Sequence, residues 1–307
     1  SSVDRNAFAG SGLIVVYATG AAKPADWKDR WDDPAIYWKE GAEMEIVAVG
    51  DFRFYIKNNE AILTKYFGDS SVDEVNVPDT IQYYGSEIPV TAIGKYAFSG
   101  NSYIKRITIP SSVKQIASGA FIGCPALESI DVMGGMYFRS VDGVLYNYEG
   151  TKLIQYPANR NDGGSVITAF SIPANVTSIA SMAFAYSALE RVTFTAEQFA
   201  AIEAGAFMGS AALRDIINLD ITHIAAIAEK AFYGCVNLRA MSFPATITSI
   251  GDSAFEGCVN LAEFNRIAGL DLRAFNRLTT IGSKAFMGCE AILEAYLPSS
   301  LVRIGTS

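Results

Sequence analysis

Residues Ile227–Pro244 read IAEKAFYGCVNLRAMSFP, and the same pattern returns 23 residues later, from Ile250 through Phe264. The second copy keeps the Ala-Phe pair, the Gly-Cys pair and the two apolar positions that follow them. Two copies at a fixed spacing are a repeat, and a repeat has to be found before any other assignment of fold. The spacing predicts a solenoid whose coils contain about 23 residues.

The Ala-Phe pair marks eight copies of the repeat. An aliphatic residue stands five positions before each Phe, and an alternating stretch such as Ile104–Pro110 follows it. Alternation of apolar and polar residues is typical of a short strand with one buried face. The pairs are Ala7-Phe8, Ala97-Phe98, Ala120-Phe121, Ala183-Phe184, Ala206-Phe207, Ala231-Phe232, Ala254-Phe255 and Ala285-Phe286.

A single coil of this kind cannot fold alone. It buries about six apolar side chains, each worth roughly 1.5–3 kcal/mol, but it must order about 23 residues at roughly 1.5 kcal/mol each. Stacking buries the columns of Ile, Phe and Leu of each coil against those of the next. We therefore predict a mainly β repeat solenoid with little helix, in which the Phe column forms an aromatic stack.

Two irregular spacings predict inserts in this array. Between Phe121 and Phe184 the run VDGVLYNYEGTKLIQYP contains two β-rich segments around a Glu-Gly turn. It predicts a β-hairpin inserted at about 134–165. Eight extra residues before Phe286 predict a bulging loop or a short helix near 267–273.

The first part of the chain breaks the rhythm most, and this predicts three regions. Residues 1–40 are predicted to be the end of a first array with a Trp-rich terminal unit. Residues 41–69 are predicted to be a β-hairpin cap, because two β-rich runs flank Lys57–Glu60. Residues 70–307 are predicted to be a second array.

Composition and charge argue against several functions. The net charge of −8, from 24 basic and 32 acidic residues, repels phosphate and argues against nucleic acid as a partner. The sequence contains no run of about 18 apolar residues, so no membrane-spanning helix is predicted. The first residues lack the basic start and apolar segment of a signal peptide. Both ends fall inside a coil, so we expect either a longer protein or disordered ends beyond this sequence.

All four cysteines follow Gly at one repeat position, which predicts a column of small buried thiols. A disulfide scaffold needs more cysteines in fewer residues, and a zinc site needs clustered ligands. No cofactor or metal is predicted. The residues are Cys124, Cys235, Cys258 and Cys289.

The pattern I-x-x-x-A-F-x-G-C-x-x-L-x-x-I-x-I-P, carried by the coils from Ile93 to Ile304, resembles the BspA-like class of leucine-rich repeats. This class is found in surface and secreted proteins of gut and oral bacteria, and the resemblance implies right-handed leucine-rich-repeat coils. Residues 142–157 resemble a hairpin unit of these proteins, and residues 27–38 resemble the unit that ends their arrays. The chain lacks the Asn ladder of general leucine-rich repeats, and Ser187 and Ser210 occupy the Cys position in two degenerate coils.

The resemblance implies binding to host or matrix proteins and supplies no catalytic residues. Our first hypothesis is a non-enzymatic cell-surface or secreted protein that acts in protein recognition or adhesion. Its partner would be a host, matrix or bacterial surface protein, with a glycan as a further option. The alternatives are a structural spacer that displays other domains of a longer chain and, less favoured, a glycan-acting enzyme, which needs two carboxylates in a groove.

Two surfaces are candidates for partner binding. Trp27, Trp31 and Trp38 could form an aromatic hot spot or sugar platform, or they could cover the open end of the first array. Solenoids also bind extended partners along a strand face, although its side chains could simply be solvated. The outward positions of that face are predicted to be Arg106, Thr108, Ser129, Asp131, Arg191, Thr193, Asp215, Ala240, Ser242, Glu263, Asn265, Glu294 and Tyr296.

Catalytic motifs are weak in this sequence. The single histidine, His223, lies beside an apolar stretch, and a nucleophile and an acid would have to be positioned around it. We predict a structural or surface role for it. The pair Asp32-Asp33 could serve as acid/base groups or calcium ligands, but such a pair is more often a solvated turn.

Overall fold

The computed structural model describes the backbone of residues 15–19, 35–39 and 45–306, and the side chains of residues 46–306. These residues are nearly all strand and turn, with one 3-10 turn at Leu219–Ile221. Within them, no helix has the length and apolar character needed to cross a bilayer. The fold is the predicted β solenoid.

Twenty-eight strands are described along the chain. In chain order they are β1 (Val15–Thr19), β2 (Ala35–Lys39), β3 (Glu45–Val49), β4 (Phe52–Lys57), β5 (Glu60–Tyr66), β6 (Glu74–Asn76), β7 (Thr80–Tyr83), β8 (Ser86–Ile93), β9 (Arg106–Pro110), β10 (Gln115–Ile116), β11 (Ser129–Met133), β12 (Phe138–Val141), β13 (Val144–Asn147), β14 (Lys152–Gln155), β15 (Ala169–Ser171), β16 (Ser178–Ile179), β17 (Arg191–Thr193), β18 (Ala201–Ile202), β19 (Asp215–Ile217), β20 (Ala226–Ile227), β21 (Ala240–Met241), β22 (Ser249–Ile250), β23 (Glu263–Phe264), β24 (Ile267–Ala268), β25 (Leu270–Asp271), β26 (Thr280–Ile281), β27 (Ala295–Tyr296) and β28 (Arg303–Ile304).

Each coil contributes to two ladders of parallel strands. One ladder contains β6, β9 and β11, and continues after the insert through β15, β17, β19, β21 and β23. The other contains β5, β8 and β10, then β14, β16 and β18, then β20, β22, β26 and β28. Equivalent residues pair in register, as Val192 does with Ile216, because successive coils repeat the same apolar pattern even where their lengths differ.

The predicted aromatic stack fills the core. The rings of Phe184, Phe207, Phe232, Phe255 and Phe286 follow one another at centroid distances of 4.9–5.3 Å and interplanar angles of 3–6°. The small Ala before each Phe is also buried. The stack confirms that identical side chains of successive coils pack against each other.

Two tyrosines occupy the Phe position without the Ala-Phe signature. Tyr66 lies 5.6 Å from Phe98, and Tyr156 lies 5.3 Å from Phe184, ring centroid to ring centroid. The Tyr156 amide donates to the carbonyl of Ala183 at 2.8 Å, as the Phe184 amide does to Ala206 and the Phe232 amide to Ala254. The antiparallel strands that end at β5 and at β14 therefore each place one aromatic ring at the position that Phe occupies in the other coils.

The four cysteines are free and buried, and they form the predicted column. The Sγ of Cys258 donates to the carbonyl of Phe232 at 3.1 Å, and the other three thiols make the same bond to a Phe carbonyl of an earlier coil. Ser210 replaces the thiol with a hydroxyl that donates to Phe184 at 2.7 Å. The coil with Ser210 in the Cys position therefore keeps the same hydrogen bond as the coils with a cysteine.

The inserted segment is an antiparallel meander of β12, β13 and β14. Its last strand pairs in parallel with β16, which returns the chain to the solenoid. The segment near 267–273 is different from our prediction of a loop or a short helix. It is a short hairpin, because Asn265 and Arg266, at φ 52° and 67°, form a tight turn between β23 and β24.

Candidate recognition surface

The strand face is defined here as the outward side chains of the ladder that contains β6, β9, β11, β15, β17, β19, β21 and β23, together with those of the pair β25 and β27. Inward residues such as Ile107, Val192 and Ile216 are buried, whereas the predicted outward positions are exposed or half-buried. Alternation along each strand therefore places the predicted residues on one surface. Their binding of a partner stays a prediction.

Arg106 is the centre of a charge cluster at one end of the strand face. Its guanidinium forms an ion pair with Glu74 on one neighbouring strand, and its Nε lies 3.5 Å from the Oδ2 of Asp131 on the other. Ser129 links the same groups, since it accepts from the Nε of Arg106 and donates to Asp131, both at 3.1 Å. Parallel register brings these residues together, because Arg106 pairs with Glu74 and Ser129.

A second pair lies further along the same face. The Nη2 of Arg191 is 3.1 Å from the Oδ2 of Asp215, its partner in the β17–β19 register. Both side chains are about half exposed, at 53% and 45%. Exposed pairs of this kind contribute only about 0–1 kcal/mol. Both side chains could therefore exchange this ion pair for contacts with a partner at little loss of folding stability.

The remaining predicted residues have varied local roles. Thr108 lies between Asn76 and Asp131 in register, and Glu263 is exposed. Asn265 occupies the hairpin turn, where its Oδ1 accepts from the amide of Phe243 at 2.9 Å. This hydrogen bond indicates a structural role for the Asn265 side chain.

Tyr296 belongs to a polar cluster on the last described coils. Its hydroxyl donates to the Oε2 of Glu294 at 2.8 Å, and this bond raises the pKa of the tyrosine. The guanidinium of Arg273 lies 4.4 Å above the tyrosine ring and 2.7 Å from Asp271. Arg273 lowers the pKa of the Asp271 carboxyl by hydrogen bonding.

The insert adds a wall beside the strand face. A cleft of about 450 Å³ lies between Arg106 and Ser129 on one side and Arg160 and Asp162 on the other. The Nε of Arg160 donates to the carbonyl of Asp142 at 2.7 Å, which holds the wall in place. Sequence reasoning missed these wall residues, because the insert follows no repeat and its docking depends on contacts distant in sequence.

Trp27, Trp31 and the pair Asp32-Asp33 lie outside the described residues. Trp38 falls in β2, of which only the backbone is described. Their suggested roles stay predictions.

The single histidine contacts the backbone, and the four cysteines are buried. The Nδ1 of His223 lies 2.5 Å from the carbonyl oxygen of Glu197. Burial raises the pKa of the Cys235 thiol to about 12 and that of Cys124 to about 11. Over the described part of the chain, no three His, Cys, Asp or Glu residues are grouped so as to hold a metal ion.

Parallel ladders of short coils, a buried column of aromatic rings and an exposed strand face define a leucine-rich-repeat solenoid. A model of the BspA-type leucine-rich repeat region matches residues 60–161, 163–275 and 271–307, with six copies. The chain belongs to this family.

Solved structures of bacterial proteins share the fold. A leucine-rich cell surface protein of Faecalibacterium prausnitzii A2-165 is 20% identical, with a TM-score of 0.51, and the match covers 86% of this chain and 95% of that one. A leucine-rich repeat protein of Bacteroides ovatus ATCC 8483 is also 20% identical, with a TM-score of 0.51. That match covers 84% of this chain and 61% of the other. No curated protein gives a significant match.

Proposed function

We propose that this solenoid is a recognition protein of the bacterial surface or its secreted fraction, and that it binds an extended segment of another protein along the strand face. The partner would be a host, matrix or bacterial surface protein. The name of the Faecalibacterium prausnitzii structure, a cell surface protein, supports this location. The proposal includes no enzymatic activity, as is typical of leucine-rich-repeat families.

One observation carries the proposal: the strand face presents ordered charges that contribute little to the fold. Arg106 and Arg191 are each bonded to carboxylates across the ladder but stay about half exposed. Parallel register spaces such groups at about 4.8 Å intervals from coil to coil. An extended partner that runs across the strands would meet one row of polar groups per coil.

Site-specific photocrosslinking tests the proposal. A benzophenone amino acid is placed at Thr108 on the strand face or at Thr248, an exposed position just before β22 of the other ladder. Each variant is irradiated with extracts of host extracellular matrix and with bacterial surface extracts. We expect one protein to form adducts with the variant at position 108 and not with the variant at position 248. The double substitution Arg191→Glu with Asp215→Arg should reduce these adducts.

Two results would contradict the proposal. Equal adducts from both positions would mean that the strand face is not selective. Adducts from neither position, in any extract, would favour the spacer function.

A further inference from the structure

The inserted meander carries a surface that the strand face does not account for. β12 and β13 pair in antiparallel fashion, with Arg139 opposite Tyr146. One residue beyond the Phe138–Asn147 pair, the amide of Tyr148 donates to the carbonyl of Tyr137 at 3.0 Å. Opposite residues of an antiparallel pair have side chains on the same face, about 5 Å apart. Tyr137 and Tyr148 are therefore opposite each other on the two strands, with their side chains on one face.

Both tyrosines are exposed to solvent, at 44% and 50%. Tyr146, next along the same face of β13, is buried at 4%. The buried tyrosine anchors the meander to the core, while the exposed pair is left for contact with another molecule. Tyrosine supplies much contact area at a small loss of conformational entropy, which is why it is enriched at interaction hot spots.

Arg139 places an unpaired positive charge beside this pair. It lies two residues from Tyr137 and on the same face, because alternate residues of a strand share a face. Among residues 46–306 no carboxylate lies within ion-pair distance of its guanidinium, in contrast to Arg106 and Arg191. Its guanidinium lies against Gly150, which has no side chain to occupy that space.

Two exposed methionines flank the Gly-Gly turn that leads from β11 into β12. Met133 and Met136 are 68% and 76% exposed, and Gly134 and Gly135 lie between them at φ 70° and 104°. Such backbone angles suit glycine. Methionine is flexible and polarizable, so it adapts to apolar side chains of different shapes.

We infer that the patch formed by Met133, Met136, Tyr137, Arg139 and Tyr148 binds an acidic peptide segment of a partner protein. Charge complementarity requires a carboxylate for Arg139, and the tyrosine pair and methionines require an apolar side chain. Residues two apart on an extended strand are separated by about 7 Å. The bound segment therefore presents Asp or Glu two residues from an aromatic or large aliphatic residue.

Selection from a phage library of random 12-residue peptides, with the whole chain immobilised, tests this inference. We expect the selected peptides to share an acid two residues from an apolar residue. Tyr137→Ser and Arg139→Glu should each weaken binding of a synthetic peptide of that pattern at least tenfold. Arg277→Glu, at an exposed position outside the strand face and far from the insert in sequence, is the matched control and should leave peptide binding unchanged.

A charge exchange separates loss of binding from loss of folding. Arg139→Glu should bind a peptide in which Lys replaces the acid, and wild type should not. Selected peptides without the acidic pattern, no selected peptide, or peptide binding that survives both patch substitutions would overturn the inference. So would self-association in sedimentation that Tyr137→Ser abolishes, or glycan binding that depends on Tyr137. Failure of the strand-face crosslinking would not overturn the inference. The crosslinking experiment changes residues of the strand face, whereas the peptide experiment changes residues of the patch.

Discussion

At the scale of single residues, the Cys position shows how the repeat tolerates change. Cys235 donates to the carbonyl of Phe207, and Ser210 donates to the carbonyl of Phe184 in the same way. The acceptor is a backbone group that every coil supplies, whatever its side chains are. A small donor at this position therefore keeps the bond even where the sequence pattern is degenerate.

We predict that the four thiols resist alkylation in the native protein. Thiolate is the reactive form, and burial raises the pKa of Cys289 to about 11 and keeps every thiol away from solvent. Iodoacetamide at pH 8 should give no adduct by mass spectrometry without denaturant, and four adducts in guanidinium. Rapid labelling of the native chain would contradict the buried column.

The Glu203 carboxyl should make stability depend on acid pH. Burial alone would raise its pKa, but the ion pair with Lys152 and the bonds from the Ser181 amide and hydroxyl, at 3.1 and 3.0 Å, lower it below the ordinary 4.5. A lowered pKa stabilises the fold above the unfolded pKa, and this contribution is lost as pH falls through the folded value.

Glu203→Gln should lower the free energy of unfolding by about 0.5–1 kcal/mol at pH 7, a size typical of a partly exposed pair. The difference from wild type should disappear near pH 3, as measured by urea unfolding. Glu256→Gln is a matched control, because no ion pair or side-chain hydrogen bond is described for it. A difference that is equal at both pH values would contradict the assigned cause.

At the scale of elements, the aromatic stack determines which coils depend on which. Phe232 is fully buried between Phe207 and Phe255, at 5.1 and 5.3 Å. Phe286 is only partly buried and has one ring of the stack beside it, Phe255 at 5.3 Å. The same residue type therefore contributes differently in the middle of the stack and at its last described position.

Phe232→Ala should destabilise the protein by about 3–5 kcal/mol, the usual loss for a buried Phe. Phe286→Ala should cost clearly less, because it leaves a smaller cavity. Denaturant unfolding of both variants measures the difference. Phe232→Leu is the control for a change that conserves most of the volume, and equal losses at the two positions would contradict the stack.

At the scale of the whole molecule, the insert joins two cores. Leu145 packs with the core of the earlier coils, which includes Phe98 and Phe121. Its neighbour Val144 packs with the core of the later coils, which includes Phe184. Successive residues of a strand point to opposite faces, so β13 can serve both cores at once.

Alanine substitutions at these two neighbours should therefore weaken different parts of the chain. Leu145→Ala, with an expected loss of about 2–5 kcal/mol, should reduce hydrogen-exchange protection mainly before residue 140. Val144→Ala should reduce it mainly after residue 150. Each variant is the other's control, and uniform loss in both would mean that the array unfolds as one unit.

The sequence predicted the solenoid, the Phe stack, the Cys column and the β-hairpins, because these follow from a pattern that repeats at short range. It did not predict that Tyr66 and Tyr156 fill the Phe position, since neither follows an Ala. It also predicted a loop or a short helix at a place where the structure has a hairpin with Asn265 and Arg266 in its turn. A turn of two residues at positive φ has no periodicity to reveal it.

The amino-acid sequence by itself determined which side chains are buried, because every coil repeats the same apolar pattern and only stacking can remove that pattern from water. The tertiary structure alone decided which outward charges meet, as Arg106 meets Glu74 across 32 positions of the chain. It also decided that the insert forms one wall of a cleft, and that no carboxylate among residues 46–306 lies within ion-pair distance of Arg139. Burial is encoded in each coil, whereas contacts between surface groups depend on how the coils and the insert are placed in space.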